Sequence, residues 1–390
     1  MFRQKSIGLT TAVLLWTTLF LLMAGFFLPN LSQACSHSSE YRLWQAVGGL
    51  SALNALWTMK KQKIRFKDQE FIALTNAGYA EIDGRSTQAA EDGLCRILHI
   101  GRGDHSLIEI HSSSEAALWF AVYHKPSGTC VYLQVNPSAI SGTACFRDVR
   151  TADLFAINAI ETINAEHLYA NAAEYAAKFD AKVFGGNEFR IVTIANAVAA
   201  GAPAYAVRAF EFHDHYCPGV TSGILMAQYL KQFFPLAPGG RYFVQTVQPW
   251  CKEDALMVIL NATPGKKRYA VTYPTVEDMA TWAQWAKDAA TIVYRRDPQS
   301  GLWDGLVLGY QGGDTGCPDY GHSVINKLCA DLWYLAHMDH PEDFIVEIHA
   351  FDLPAGVDPK AYARPGVDPM ALIGLTKQFD NTAVINARKR

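Results

Sequence analysis

Charge is scarce in this chain. Of its 390 residues only 18% are charged, and the formal net charge is −3. No basic stripe and no run of like charges occurs, so the electrostatic footprint of a nucleic-acid-binding protein is missing. Low-complexity tracts are absent as well. The eight cysteines include no Cys-x-x-Cys pair, which excludes thioredoxin-type redox chemistry, zinc ribbons and c-type haem attachment. There is no Walker loop, no dinucleotide fingerprint and no nucleophile elbow.

What is plentiful is apolar surface, at 50% of residues. Arg3 and Lys5 precede an apolar run from Ile7 to Leu28, and Pro29 and Asn30 end it. Ser32-Gln33-Ala34 then supplies small residues where a signal peptidase reads. This is secretory-signal grammar, with cleavage expected near Ala34 and export to a periplasmic or other extracytoplasmic space. An uncleaved anchor is the alternative, since the run reaches the ~20 residues that span a bilayer. A lipid anchor on Cys35 would want an aliphatic residue where Ser32 stands. All eight cysteines lie beyond the cleavage point. In an oxidising compartment Cys130–Cys145 and Cys317–Cys329 are close enough in sequence to pair, although spacing alone leaves connectivity open.

The roughly 355 residues left after cleavage exceed what one core usually holds, so two domains are expected. A faint internal repeat supports this. Glu91-Asp-Gly-Leu-Cys-Arg-Ile-Leu aligns with Glu253-Asp-Ala-Leu-Met-Val-Ile-Leu, and Gly103 with Gly265. Each copy reads α-β-α-β-β-β. In the second copy Val220, Ile224, Ala227, Leu230 and Phe234 mark an amphipathic helix, Tyr242 to Val247 a strand and Lys252 to Leu260 another helix. Tyr269 to Thr272, Ala290 to Tyr294 and Trp303 to Gly309 complete its sheet. The alanine-rich stretch from Thr151 to Phe184 is expected to be a helical connector.

The chemistry concentrates in Phe210-Glu-Phe-His213-Asp-His215-Tyr-Cys217-Pro-Gly219. Read as an extended segment, it projects His213, His215 and Cys217 to one side and Asp214 and Tyr216 to the other. Pro218 and Gly219 turn the chain into a helix, whose positive end favours a metal-binding thiolate at Cys217. Cys251 opens the next helix, with Asp254 on the same face. Two imidazoles and two thiolates suit zinc, nickel or copper rather than magnesium or calcium. A plainer reading treats both histidines as satisfied polar residues and Cys217 as a small buried hydrophobe.

The segments FHDHYCPGVTSGILMAQYL and WCKEDALMVILNATPGKKRYAV resemble the FmdE family, which takes its name from molybdenum formylmethanofuran dehydrogenase. That family carries His-Gly-His-x-Cys-Pro-Gly before a helix, then Cys-x-x-Asp and a Thr-Pro-Gly-Lys-like turn. The resemblance spans about 204–309 and implies an α+β domain of α-β-α-β(3) order with a mixed sheet. It also implies His213, His215, Cys217 and Cys251 as metal ligands, with Asp254 beside them. Asp214 stands where the family has glycine, and the C-terminal zinc ribbon of many relatives is missing. In the first repeat Ala89 takes the place of Cys251.

The expected fold class is therefore α+β, with tandem α-β-α-β(3) units and the metal site in the second. The expected layout is a signal peptide at 1–34, a degenerate FmdE-like repeat at 35–150 and a helical connector at 151–200. An FmdE-like metal-binding domain at 201–352 and a C-terminal arm at 353–390 follow. Three functions compete. The first is an exported transition-metal-binding protein that handles zinc, nickel, copper or a small metal complex. The second is a metalloenzyme with an open coordination position and Asp254 or Asp214 as proton acceptor. The third is a non-catalytic module with a structural metal. Zinc is the expected ion, with nickel or copper next. The expected partner is the metal or its complex, with no nucleic acid and with membrane contact only through an uncleaved leader; a homodimer is left open. The roles of Cys317 and His322, in a glycine-rich loop, are open between a disulfide, a lid and a late ligand.

Overall fold

The computed structural model describes residues 37–143 and 145–377. The expected signal segment, Cys35 and the end of the basic tail lie outside these residues. Helix α1 (His37–Lys61) crosses α2 (Ala90–Leu98) at close range. A Cβ on Gly48 of α1 would fall 1.9 Å from the Ala90 carbonyl oxygen, so only glycine permits this contact. The pair lies on one face of a sheet made of β1 (Phe71–Thr75), β4 (Leu107–Glu109), β5 (Trp119–His124), β6 (Thr129–Val135) and β7 (Phe155–Thr162). Between β1 and α2, β2 (Glu81–Ile82) and β3 (Arg85–Ser86) form a small separate hairpin. The sheet order is β4-β1-β5-β6-β7, with β1 and β4 parallel and the other pairs antiparallel. β1, FIALT, is buried on both faces, which is why it reads as an unbroken apolar run.

The second half repeats this wiring. Helix α7 (Pro218–Phe233) packs on α8 (Lys252–Leu260) beside β8 (Arg241–Val247), β9 (Tyr269–Thr272), β10 (Ala289–Arg296), β11 (Trp303–Tyr310) and β12 (Ile345–Asp352). The order is β9-β8-β10-β11-β12, again with one parallel pair, β8 with β9. The helix crossing also repeats, because a Cβ on Gly223 would fall 2.3 Å from the Lys252 carbonyl oxygen. The fold is thus α+β with tandem α-β-α-β(3) units, each extended by a fourth antiparallel edge strand. Gly103 and Gly265 both lie between the second helix of a unit and its parallel strand.

Between the sheets run α3 (Ala165–Ala170), α4 (Ala172–Asp180), α5 (Glu188–Ala199) and α6 (Ala204–His213). With α7 and α10 (Ser323–Ala336) they form one core joining inner faces of both sheets, from Ile72 and Tyr132 to Val244 and Leu308. The connector begins differently from the helical expectation. Phe155 to Thr162 is strand β7, pairing with β6 from Thr129↔Thr162 to Val135↔Phe155. Its partial exposure along its whole length suits an edge position, and Ala156 and Ala159, which contributed to the helical expectation, are accommodated in the strand.

The outer face of the second sheet is covered by a short helix α9 (Val276–Thr281), residues after it and the C-terminal arm with α11 (Pro369–Leu372). Met370 and Leu375 are buried there beside Trp282. Cys317 and Cys329 form a disulfide, as their spacing allowed. Cys130 does not pair with Cys145. It points from the start of β6 into the central core as a buried free thiol, while Cys145 is disulfide-bonded elsewhere. No helix among the described residues is long and apolar enough to cross a membrane.

Candidate metal centre

The His-x-His-x-Cys segment is not a strand. His213 is the last residue of α6, and Asp214 caps it in the left-handed conformation at φ 69°. Aspartate is among the few side chains that tolerate this region, and the glycine of the resembling family would enter it freely. The αL kink, rather than strand alternation, brings His213 and His215 to one side. Cys217 then caps α7, with Pro218 at the first helical position, where the missing N–H costs nothing. Cys251 stands at the N-terminal cap of α8, there in a helical backbone conformation and without a following proline. Both sulfurs therefore stand at positive helix ends.

Four donors converge: one ligand atom each from His213, His215, Cys217 and Cys251, all within 4.8 Å of one another. A tetrahedral shell with bonds of about 2.0–2.3 Å sets donors about 3.3–3.8 Å apart, so small side-chain shifts would close this set around an ion. His213 Nε2 is buried without a hydrogen-bond partner, as expected of an atom reserved for a metal. Gly219 keeps the gap open, since a Cβ there would lie 3.1 Å from the Cys251 sulfur.

Both imidazoles are oriented through their other nitrogen. His213 Nδ1 lies 2.6 Å from Asp254 Oδ2, and His215 Nδ1 2.6 Å from Asp214 Oδ1. Asp214 is in turn held by Arg190 of α5 at 2.8 Å, and the Phe189 ring packs on His215 at 4.6 Å. Carboxylates so placed fix the tautomer that leaves Nε2 for the metal and raise its basicity. Asp254 and Asp214, the candidate proton acceptors, are therefore both engaged with histidines.

The electrostatics of the metal-free cluster place the thiolate at Cys251 rather than at Cys217, where the helix start was expected to favour it. Burial lowers the His213 pKa, but Asp254 and the Cys251 sulfur outweigh it and raise it to about 9. Cys217 donates toward Cys251 and is buried, so its thiol pKa rises far above the usual range. Cys251, facing Cys217, His213 and His215, is held well below the ordinary thiol value. Cys217 is buried, whereas His215 is 22% exposed in its side chain, so the cluster is reachable from one side.

Several supporting residues carried no local signal. Arg190 and Phe189 act from more than twenty positions upstream. Thr193 Oγ1 accepts the Tyr216 N–H at 3.2 Å and pins the loop. The first unit grips the chain just before the ligands: Glu211 Oε1 accepts the Glu109 N–H at 3.1 Å, and its Oε2 meets Arg102 at 3.1 Å. His111 stacks on Phe212 at 5.3 Å. Cys317 and His322 stay apart from the cluster, in the disulfide and as the cap of α10.

The repeated helix crossing shows how the first unit differs. Matching Gly48 to Gly223 places Arg42 at the position of Cys217, buried Trp44 at that of Gly219, and Ala89 at that of Cys251. Both thiolates and the opening between them are gone.

Residues 212–302 match the family model described as FmdE, Molybdenum formylmethanofuran dehydrogenase operon. No curated protein matches the chain. The matched stretch contains all four converging donors, and family and cluster together suggest binding of a transition metal. Through residues 212–302 this chain is FmdE-like.

Proposed function

We propose that the protein is an exported carrier or handler of a thiophilic transition-metal ion, held by His213, His215, Cys217 and Cys251. The observation that carries this reading is the convergence of four donor atoms around a buried, unpartnered His213 Nε2. Four protein donors complete a tetrahedral shell, which favours holding an ion over activating water at an open position. Partial exposure on the His215 side supports a site that can be loaded and emptied. Zinc suits this set best, and nickel or copper would also be accepted. The signal grammar before Ala34 supports export.

Metal analysis of never-chelated protein should find about one ion per chain, and Cys217→Ser should abolish retention. Protein without an ion that also fails to take up zinc, nickel or copper at micromolar levels would end this reading. N-terminal sequencing of exported protein should begin at or near Cys35, and an intact leader would contradict cleavage.

A further inference from the structure

A cleft of about 220 Å³ opens at the other end of the second sheet, between the strands and the C-terminal arm. Its floor is a row of cross-strand neighbours. Arg241 opens β8, Arg296 ends β10 directly opposite it, and Trp303 opens β11 opposite Arg296. Its rim includes Gly356 and Asp358 of the first of two Gly-Val-Asp-Pro turns in the arm. The metal ligands lie beyond the far end of β8, about 20 Å away along a strand of this length.

Two guanidiniums directly opposite each other on antiparallel strands repel. The neighbouring position shows the usual remedy, where Arg295 is bonded by Asp304 at 2.6 and 3.2 Å. Neither Arg241 nor Arg296 has an ion pair or side-chain hydrogen bond among the described residues. Arg241 lies over the Trp303 ring, 5.5 Å from its centroid. The nearby acids are engaged elsewhere. Asp358 accepts the Lys360 N–H at 3.0 Å and meets its ammonium at 3.3 Å. Asp297 accepts the Gln299 and Ser300 N–H groups at 2.6 and 3.3 Å. Gly301, at φ 74°, leaves the Arg296 fork uncovered, because a Cβ there would stand 3.2 Å from Nη2.

We propose that this cleft binds a small carboxylate or phosphate compound between the guanidiniums of Arg241 and Arg296. The planar fork of arginine matches both oxyanions bidentately, and an anion placed there cancels the cross-strand repulsion. The volume is below the about 300–1,000 Å³ of sites for drug-sized molecules, so the ligand is a small metabolite or an inorganic anion. The first Gly-Val-Asp-Pro turn forms the rim that limits its size.

The test is calorimetric and thermal titration of the full chain with inorganic phosphate and with succinate, using chloride as the control. At least one probe should bind saturably with a Kd of about 1 mM or tighter and raise the unfolding temperature. The tighter probe identifies the phosphate or the carboxylate class. Arg241→Gln and Arg296→Gln should each weaken binding about tenfold or more while metal stoichiometry keeps the wild-type value. Without anion, Arg296→Gln should unfold no earlier than wild type, since repulsion is relieved and Arg296 stacks on no ring among the described residues. If the glutamine variants fail to fold, Arg241→Lys and Arg296→Lys keep the charge and remove the fork, and should still weaken binding. Failure of both probes to bind, or binding indifferent to all these replacements, overturns the proposal.

Discussion

Asp254→Asn tests the candidate centre without touching a ligand. His213 Nδ1–H donates to Asp254 Oδ2 across 2.6 Å when Nε2 faces the ion. Asparagine keeps the shape and an accepting oxygen and removes only the charge that raises imidazole basicity. Loss of such an outer carboxylate typically weakens metal binding about 10–100-fold, or about 1.4–2.8 kcal/mol. The Asp254 side chain is 33% exposed, so water screens part of its charge and the lower end applies, about tenfold. Asp214→Asn provides the internal comparison. Its carboxylate already shares its charge with Arg190 at 2.8 Å, and asparagine tolerates the αL backbone at φ 69°. Its effect should therefore be smaller, about threefold. Competition for zinc against a chromophoric chelator measures both. A change within about twofold for Asp254→Asn, or a larger loss for Asp214→Asn, would refute the assignment of Asp254 as the carboxylate that tunes His213.

Metal uptake near pH 7 should expel about two protons, because His213 with a pKa raised to about 9 and Cys217 hold theirs there while Cys251 has already lost its own. Apparent affinity should then fall as the pH is lowered, and calorimetry in buffers of different ionisation enthalpy counts the protons; no release would contradict the protonation pattern. Gly223→Ala drives a methyl to 2.3 Å from the Lys252 carbonyl oxygen and should cost about 1–3 kcal/mol in denaturant unfolding. Gly48→Ala, at 1.9 Å from the Ala90 carbonyl, should cost a similar amount but leave metal affinity unchanged, since its unit has Arg42 and Ala89 where the ligands Cys217 and Cys251 stand in the other. Cys317→Ser opens a cross-link spanning 12 positions and should cost about 3 kcal/mol while metal stoichiometry is kept; loss of the ion would return Cys317 to the ligand set.

Much of this molecule was legible because the relevant signals are local. A proline after Cys217 and an amphipathic repeat from Val220 mark α7, and Lys252 to Leu260 is read from the sequence with the bounds the structure gives. The duplication was visible in two short matching segments because the helix that follows Cys251 or Ala89 must pack on a glycine of the preceding helix in both units. The misreadings share a cause: identity and spacing state which residue types are present but not which backbone region each adopts. His-x-His-x-Cys has the period of a strand, yet Asp214 is free to turn to αL because α6 needs an end there. The Ala-rich stretch suggested a helix, yet Phe155 to Thr162 takes the open edge of β6.

The sequence by itself determined the donor chemistry of the candidate centre, two imidazoles and two thiols with both cysteines at helix starts, and the α+β repeat that presents them. It also determined that the first unit has no counterpart of Cys251, through Ala89. Only the tertiary structure decided that the four donors converge within 4.8 Å, that each histidine meets its own carboxylate, and that Arg190 restrains one of them. It alone opposed Arg241 to Arg296 beneath the arm. The reason is one of range. Propensity and capping act within a turn or two of the chain. Ligand convergence and charge opposition instead depend on how helices cross and strands register, which the packing of the whole core sets.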